Sequence, residues 1–124
     1  MEQALPGSSP VVQLCVEGTR AEFAGRLAEA AALYRRAWET ASGDYEACIA
    51  AHYVARVQTT VEDALRWNEE ALRRADASGD ARVRDFYPSL YLCLGRSYEE
   101  VGDSARSRRY YDLAAGLGFP HQEP

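Results

Sequence analysis

The sequence predicts an all-α fold in which six antiparallel helices pair into three consecutive hairpins. Alanine, leucine, arginine and glutamate dominate the chain after its first ten residues, and these residues favour helices. Apolar residues recur at intervals of three and four, as at Leu27, Ala30, Ala31 and Tyr34, and no stretch alternates strictly between apolar and polar residues. Glycine–aspartate pairs interrupt these apolar runs where helices are expected to end and begin.

The helix boundaries follow from residues that stop and start helices. A glycine supplies the left-handed residue that ends one helix, and the aspartate after it caps the next. Thr60 and the Ser9-Pro10 pair provide two further starts, and Gly25 separates the first helix from the second. The glycine–aspartate pairs are Gly43-Asp44, Gly79-Asp80 and Gly102-Asp103. The predicted helices cover residues 11–23, 26–40, 45–58, 61–77, 81–101 and 104–117.

A similar spacing of small and aromatic residues recurs in the three hairpins. The third hairpin carries it as Leu94, Gly95, Tyr98, Gly102, Ser107, Tyr111 and Ala114. The first hairpin carries it as Gly18, Gly25, Ala30, Tyr34 and Ala37. The middle hairpin keeps the small residues Ala64 and Ala71, but His52 replaces the glycine and Asn68 replaces the tyrosine. Gly18 and His52 are 34 residues apart, and His52 and Gly95 are 43 residues apart, which places an insertion of nine residues before the third hairpin.

This pattern resembles the tetratricopeptide repeat, whose period is also 34 residues. The resemblance implies a right-handed α-superhelix with a concave groove lined by the first helix of each repeat. It covers one domain over residues 11–118, with repeats at about 11–43, 44–79 and 80–118. Residues 1–10 are expected to form a flexible lead, and residues 119–124 a tail. The insertion is expected to lengthen the fifth helix, which Pro88 should then kink.

The family register also implies which side chains line the groove. In the first repeat they are Cys15, Thr19 and Glu22. In the second and third repeats they are Ile49, Tyr53, Arg56, Leu92, Arg96 and Glu99. An arginine in such a groove suits a carboxylate, because the guanidinium group can donate two parallel hydrogen bonds. The alternative is that Arg56 pairs with Glu99, or Arg96 with a nearby acid, and that neither binds a partner.

A protein or peptide partner is therefore the expected ligand of this groove. The inserted segment provides a second candidate surface at its rim, formed by the aromatic residues Phe86, Tyr87 and Tyr91, although aromatics at helical spacing more often belong to a core. A small-molecule-binding or accessory protein for an enzyme is the alternative, with the inserted segment closing the groove. An enzyme in its own right is a distant third possibility.

Several functional classes do not fit the sequence. The net charge of −5 argues against nucleic-acid binding, and no apolar run is long enough for a membrane span. All 14 basic residues are arginines, so lysine chemistry is excluded, and no common catalytic or nucleotide-binding motif is present. The three cysteines are predicted to be buried thiols. Cys48 and His52 stand four residues apart, but two ligands do not make a metal site, so neither a metal nor a cofactor is expected.

The setting of the chain is predicted from weaker signals. The N-terminus does not resemble a signal peptide, which favours a cytoplasmic protein, and the Ala, Gly and Arg content suggests a GC-rich bacterial genome. No additional capping helix follows the last helix, so either this helix is polar enough alone or another subunit covers it, and a homodimer is the prediction. The departures from the repeat at His52 and Asn68, together with the insertion, place any dedicated site at the junction of the second and third hairpins.

Overall fold

A computed structural model describes residues 9–121, which contain six α-helices and no β-strand. The all-α class is thereby confirmed. A 3-10 helix at Ala81–Phe86 precedes the fifth α-helix. The α-helices are α1 (Pro10–Phe23), α2 (Leu27–Thr40), α3 (Gly43–Ala55), α4 (Val61–Ala77), α5 (Tyr87–Glu100) and α6 (Ser104–Gly116).

Consecutive helices pair into three hairpins. The most extensive contacts are those of α1 with α2, α3 with α4 and α5 with α6. Short connections hold each pair together, because a chain of a few residues can only return antiparallel to the helix it leaves. The hairpins then join through α2 against α3 and α4 against α5, and α1 also contacts α3. Two joints between hairpins result, and they differ in the side chains that fill them.

Capping side chains start three of the helices where the sequence predicts. Ser9 Oγ accepts a hydrogen bond from the backbone N–H of Val12 at 3.1 Å, and Thr60 Oγ1 accepts one from Asp63 at 3.1 Å. Asp103 caps α6 in the same way, accepting from the backbone N–H of Arg106 at 3.0 Å. Each cap satisfies a backbone donor that the first turn of a helix leaves free.

Asp44 does not cap a helix, which corrects the prediction for the first glycine–aspartate pair. Helix α3 already begins at Gly43, and the side chain of the preceding Ser42 makes no capping hydrogen bond. Asp44 lies inside the first turn, where its Oδ1 pairs with Nη1 of Arg74 at 3.0 Å. The aspartate therefore stabilises the hairpin through an ion pair to α4.

The inserted segment also differs from the prediction of one kinked helix over residues 81–101. Residues 81–86 form the 3-10 helix, whose first turn Asp80 caps by accepting from the backbone N–H of Arg82 at 2.9 Å. Helix α5 begins only at Tyr87, so Pro88 lies in its first turn. Proline is tolerated there because the N–H it lacks would have no partner within the helix. Pro88 therefore starts a helix and does not bend one.

Close contacts between glycine and tyrosine set the helix spacing in the outer two hairpins. A Cβ atom added at Gly18 would lie 2.6 Å from Cδ1 of Tyr34, and one added at Gly95 would lie 2.6 Å from Cδ1 of Tyr111. Only glycine leaves room for either ring. Behind them the core is built largely from alanines, and Trp38 packs against all three of its clusters.

Candidate functional site

An apolar groove of about 340 Å³ lies between α1, α3 and the start of the third hairpin. Helix α1 forms one wall, α3 forms the floor, and the 3-10 helix with the start of α5 forms the other wall. Its lining includes Val12, Cys15, Val16, Ile49, Phe86 and Leu90. Within this lining, the side chain of Val16 remains 46% exposed. We call this surface the apolar groove.

A second depression of about 440 Å³ opens between the middle and third hairpins. The α3–α4 turn and the first half of α4 form one side, and α5 forms the other. Its lining is mixed and includes His52, Arg56, Asn68, Cys93, Arg96 and Ser97. We call it the polar cleft. His52 lines both the polar cleft and the apolar groove, so the two adjoin at this residue.

The structure divides the six predicted groove residues among different surfaces. Ile49 and Tyr53 line the apolar groove, whereas Arg56 and Arg96 line the polar cleft. Glu99 lies further along α5, where its Oε1 accepts a hydrogen bond from the hydroxyl of Tyr111 at 3.1 Å. The remaining residue, Leu92, is half-buried on α5 and lines neither depression.

The three aromatic residues expected at the rim also have different surroundings in the structure. Phe86 lines the apolar groove and stacks on Tyr45 with ring centres 5.6 Å apart. Tyr87 instead donates a hydrogen bond to Asp76 at 2.6 Å, and its pKa is raised by burial and by that carboxylate. Tyr91 lies between Tyr87 and the α6 side chain Tyr110. Of the three, Phe86 is the one that faces the groove.

Arg56 is held by a carboxylate of the first hairpin. Its Nε and Nη2 atoms donate to the two carboxylate oxygens of Glu22 at 3.0 and 2.8 Å. The hydroxyl of Tyr34 donates to the same carboxylate at 2.8 Å. These hydrogen bonds, with that from Arg56 the strongest, hold the pKa of Glu22 below its usual value. The partner of Arg56 is thus Glu22, and Arg96 approaches Glu100 at 3.9 Å.

The two residues that depart from the repeat meet at the polar cleft. Asn68 is 8% exposed, and its Nδ2 donates to the hydroxyl of Ser97 at 2.9 Å. His52 directs Nδ1 toward the sulfur of Cys93, 4.0 Å away. Burial and the nearby charge of Arg56 lower the pKa of His52, which keeps its imidazole neutral near pH 7. These contacts link α3 and α4 to α5.

The cysteines are poor nucleophiles in this fold. Burial raises the pKa of Cys15 to about 12 and that of Cys48 to about 11. Burial also raises the pKa of Cys93, although Arg56 and Arg96 partly oppose the shift. A thiol must lose its proton to attack or to bind a metal strongly, and these sites disfavour that loss. Among residues 9–121, no cluster of three or more His, Cys, Asp or Glu side chains is arranged to hold a metal ion.

Part of the polar cleft is visible in the sequence. His52 and Asn68 stand out because they replace a glycine and a tyrosine of the repeat. Ser97 carries no such signal, since a serine in an amphipathic helix is ordinary, and its role depends on a partner 29 residues away. Cys93 is recognisable only as a cysteine, and its proximity to His52 becomes evident once the hairpins are packed.

Comparison with protein-family models, curated proteins and solved structures finds no match to this chain. Across the part of the chain that the structure describes, none of the helices has the length and apolar character needed to cross a membrane. The proposals below therefore rest on the geometry and chemistry of the two depressions.

Proposed function

We propose that this chain is a three-hairpin scaffold of the tetratricopeptide-repeat type that binds a protein or peptide partner in the apolar groove. The observation that carries this proposal is the groove itself, a depression where apolar side chains from α1, α3 and the 3-10 helix, namely Val16, Ile49 and Phe86, remain at least partly exposed. Concave apolar surfaces with a few polar groups are the usual form of binding sites. The contacts of Gly18 with Tyr34 and of Gly95 with Tyr111 support the repeat assignment, since small and aromatic residues alternate in that family's packing.

The groove favours a partner segment that is itself helical. Its walls are mainly helices, whose backbone N–H and C=O groups are already paired with each other within the helix. An extended peptide would bring unpaired backbone groups into this apolar surface, and burying such groups without partners is costly. An amphipathic helix satisfies its backbone internally and presents only side chains. The fit is therefore a helix lying in the groove with apolar residues directed at Ile49 and Val16.

We propose binding without catalysis as the role of this groove. The raised pKa values of Cys15 and Cys48 and the lowered pKa of His52 leave the nearby groups as neutral contacts. A small-molecule-binding protein remains the second candidate, supported by the polar cleft at the adjoining joint. The cytoplasmic location, the bacterial source and the homodimer predicted from the sequence stay predictions.

The test uses two exposed aliphatic residues as a matched pair. Peptides are selected from a displayed library for binding to the wild-type chain, and their affinity is measured for Val16→Glu and Leu113→Glu. Val16 lies in the groove at 46% exposure, and Leu113 lies on α6 at 41% exposure, so both changes should be compatible with folding. Circular dichroism verifies that both variants are folded.

We expect Val16→Glu to weaken peptide binding by at least about tenfold, because it places a charge on an apolar contact surface. Leu113→Glu should bind like the wild type. If the selected peptides bind Val16→Glu and the wild type equally, or are lost only with Leu113→Glu, the groove is not the binding surface and the proposal is wrong.

A further inference from the structure

The polar cleft contains polar and charged groups whose hydrogen-bonding capacity is not fully used by neighbouring side chains. In the first hairpin, Tyr34 packs on Gly18 and donates to Glu22, so these positions are satisfied within the hairpin and its joint. In the middle hairpin, the same positions hold Asn68, His52 and Arg56, and all three line the cleft. The cleft is therefore built where the repeat departs from its own pattern.

Asn68 provides an acceptor that faces the cleft. Its Nδ2 donates to Ser97, while its Oδ1 accepts no hydrogen bond from residues 9–121. Every fully buried side-chain nitrogen or oxygen in those residues does have a partner, so this oxygen is open to the cleft although the residue is only 8% exposed. A carbonyl oxygen held in a nearly buried side chain is a ready acceptor for a ligand N–H group.

Arg96 and Glu100 provide two opposite charges that are loosely paired. Their separation of 3.9 Å is the longest among the ion pairs of the described residues, and their side chains are 77% and 43% exposed. Such a pair is worth little in water and opens easily. Arg56 is different, because Glu22 occupies its guanidinium group with two hydrogen bonds. Arg96 is thus the arginine of the cleft that can turn toward a ligand.

These charges select for a ligand that carries both signs. A simple anion would be attracted by Arg96 but repelled by Glu100, and a simple cation would meet the reverse. A zwitterion satisfies both, with its carboxylate on the guanidinium group and its ammonium between Glu100 and the Asn68 carbonyl oxygen. Next to the turn, the lining combines the short apolar side chains of Ala55, Val61 and Ala64 with the polar side chains of Gln58, Thr59 and Thr60.

We propose that the polar cleft binds a free α-amino acid with a short apolar side chain. The carboxylate is held by Arg96, the ammonium group by Asn68 Oδ1 and Glu100, and the side chain rests on the alanine and valine surface. The cleft volume of about 440 Å³ accommodates such a molecule together with water. This site is separate from the apolar groove, and it does not depend on the partner proposed for that groove.

The experiment measures thermal stabilisation and binding heat with a panel of the free amino acids. A ligand that binds only the folded chain raises its stability in a saturable way. We expect alanine, valine or a residue of similar size to give the largest effect. N-acetylation of the best ligand, and separately its conversion to the carboxamide, should each weaken binding by at least about tenfold.

Two arginine variants locate the site. Arg96→Gln should weaken binding by at least about tenfold, while Arg108→Gln, on the exposed face of α6, should leave it unchanged. Asn68→Ala should also weaken binding, with its fold verified by circular dichroism. The Val16→Glu groove variant should bind the amino acid normally, which separates this proposal from the one above.

Three results would overturn the proposal. One is that no amino acid stabilises the chain. Another is that acetate or propionate binds as tightly as the best amino acid, which would show that the ammonium group is not recognised. The third is that Arg96→Gln and Arg108→Gln bind alike, which would place the ligand outside the polar cleft.

Discussion

The first and middle hairpins share one spacing but use it in opposite ways. In the first, the ring of Tyr34 packs on Gly18, and its hydroxyl donates to Glu22 of the same hairpin. In the middle hairpin, His52 on the first helix takes the place of the glycine, and Asn68 on the second helix takes the place of the tyrosine. Asn68 reaches forward to Ser97, and Arg56 reaches back to Glu22. The same three positions can thus close a hairpin on itself or fasten it to its neighbours.

The third hairpin follows the first. Tyr111 packs on Gly95 and donates to Glu99, and burial together with that carboxylate raises the pKa of Tyr111 to about 12. Beyond this hairpin, His121 stacks on the ring of Tyr111 with centres 3.9 Å apart. In both outer hairpins the tyrosine ring therefore packs on a glycine of its own hairpin, whereas Asn68 and Arg56 at the matching positions of the middle hairpin contact its neighbours.

The largest expected effect comes from removing the tyrosine ring that packs on the glycine of the first hairpin. Tyr34 has no exposed surface, so Tyr34→Ala should lower the free energy of unfolding by about 3–5 kcal/mol through lost burial and a cavity. Asn68→Ala at the matching position removes one hydrogen bond and should cost only about 1–3 kcal/mol. Urea denaturation of both variants measures the difference. Equal losses would mean that the two hairpins are not organised differently.

A second prediction concerns the glycine beneath that ring. Gly18→Ala places a methyl group against a fully buried tyrosine and should destabilise the chain by about 1–3 kcal/mol, although alanine favours helices. Gly116→Ala is the matched control, because it lies in α6 with open space around it and should stabilise by up to about 1 kcal/mol. Thermal unfolding of the two variants should shift in opposite directions. A shift in the same direction would contradict the close-packing argument.

The connection between hairpins should be weaker and dependent on pH. A double-mutant cycle of Glu22→Gln and Arg56→Gln should give a coupling of about 1 kcal/mol near pH 7, since Arg56 is 40% exposed and solvent screens the pair. The pKa of Glu22 is lowered in the fold, so this stabilisation is present above its unfolded pKa of about 4.5 and is lost as the pH falls below that value. A coupling that persists at about pH 2 would show that the pair acts through packing.

The smallest effect is expected from the histidine of the middle hairpin. The pKa of His52 is lowered in the fold by burial first and by Arg56 second. The unfolded chain therefore binds the proton more readily, and stability should decline as the pH falls below the unfolded value of about 6.5. His52→Gln should flatten this decline between about pH 7 and pH 5. If stability declines with falling pH equally in the wild type and the variant, burial does not lower the pKa of His52 in the folded chain.

Local sequence patterns predicted those parts of the fold that depend on neighbouring residues. Ser9, Thr60 and Asp103 begin helices as expected, because a cap acts within three residues of its own position. Asp44 has the same local pattern as Asp103, but α4 supplies Arg74 as an ion-pair partner 30 residues away. The prediction that Pro88 kinks a long helix was also wrong because of contacts that are distant in the sequence. The segment before it folds as a 3-10 helix, with Val83 buried against the core.

Local sequence patterns predicted the composition of the two depressions less well. The family register grouped Ile49, Tyr53, Arg56 and Arg96 on one groove, whereas packing assigns two to each depression. The direction of Arg56 depends on which neighbouring hairpin offers the better-placed carboxylate, and Glu22 is 34 residues away. The substitutions at His52 and Asn68 pointed to the joint where the polar cleft lies, but the contacts with Ser97 and Glu100 became apparent only in three dimensions.

The edge-to-face packing of Trp38 on Trp67, with ring centres 5.0 Å apart, gives the molecule an internal pair of optical reporters. These are the only tryptophans in the chain, and they lie on α2 and α4, so their fluorescence reports on the joint between the first two hairpins. Five of the eight tyrosines lie on α5 and α6, so near-ultraviolet tyrosine signals report mainly on the third hairpin. In the hairpin array that we propose, the hairpins can unfold one at a time. Melting curves recorded at the two kinds of chromophore would therefore show whether the joint at the polar cleft separates before the joint at Trp38.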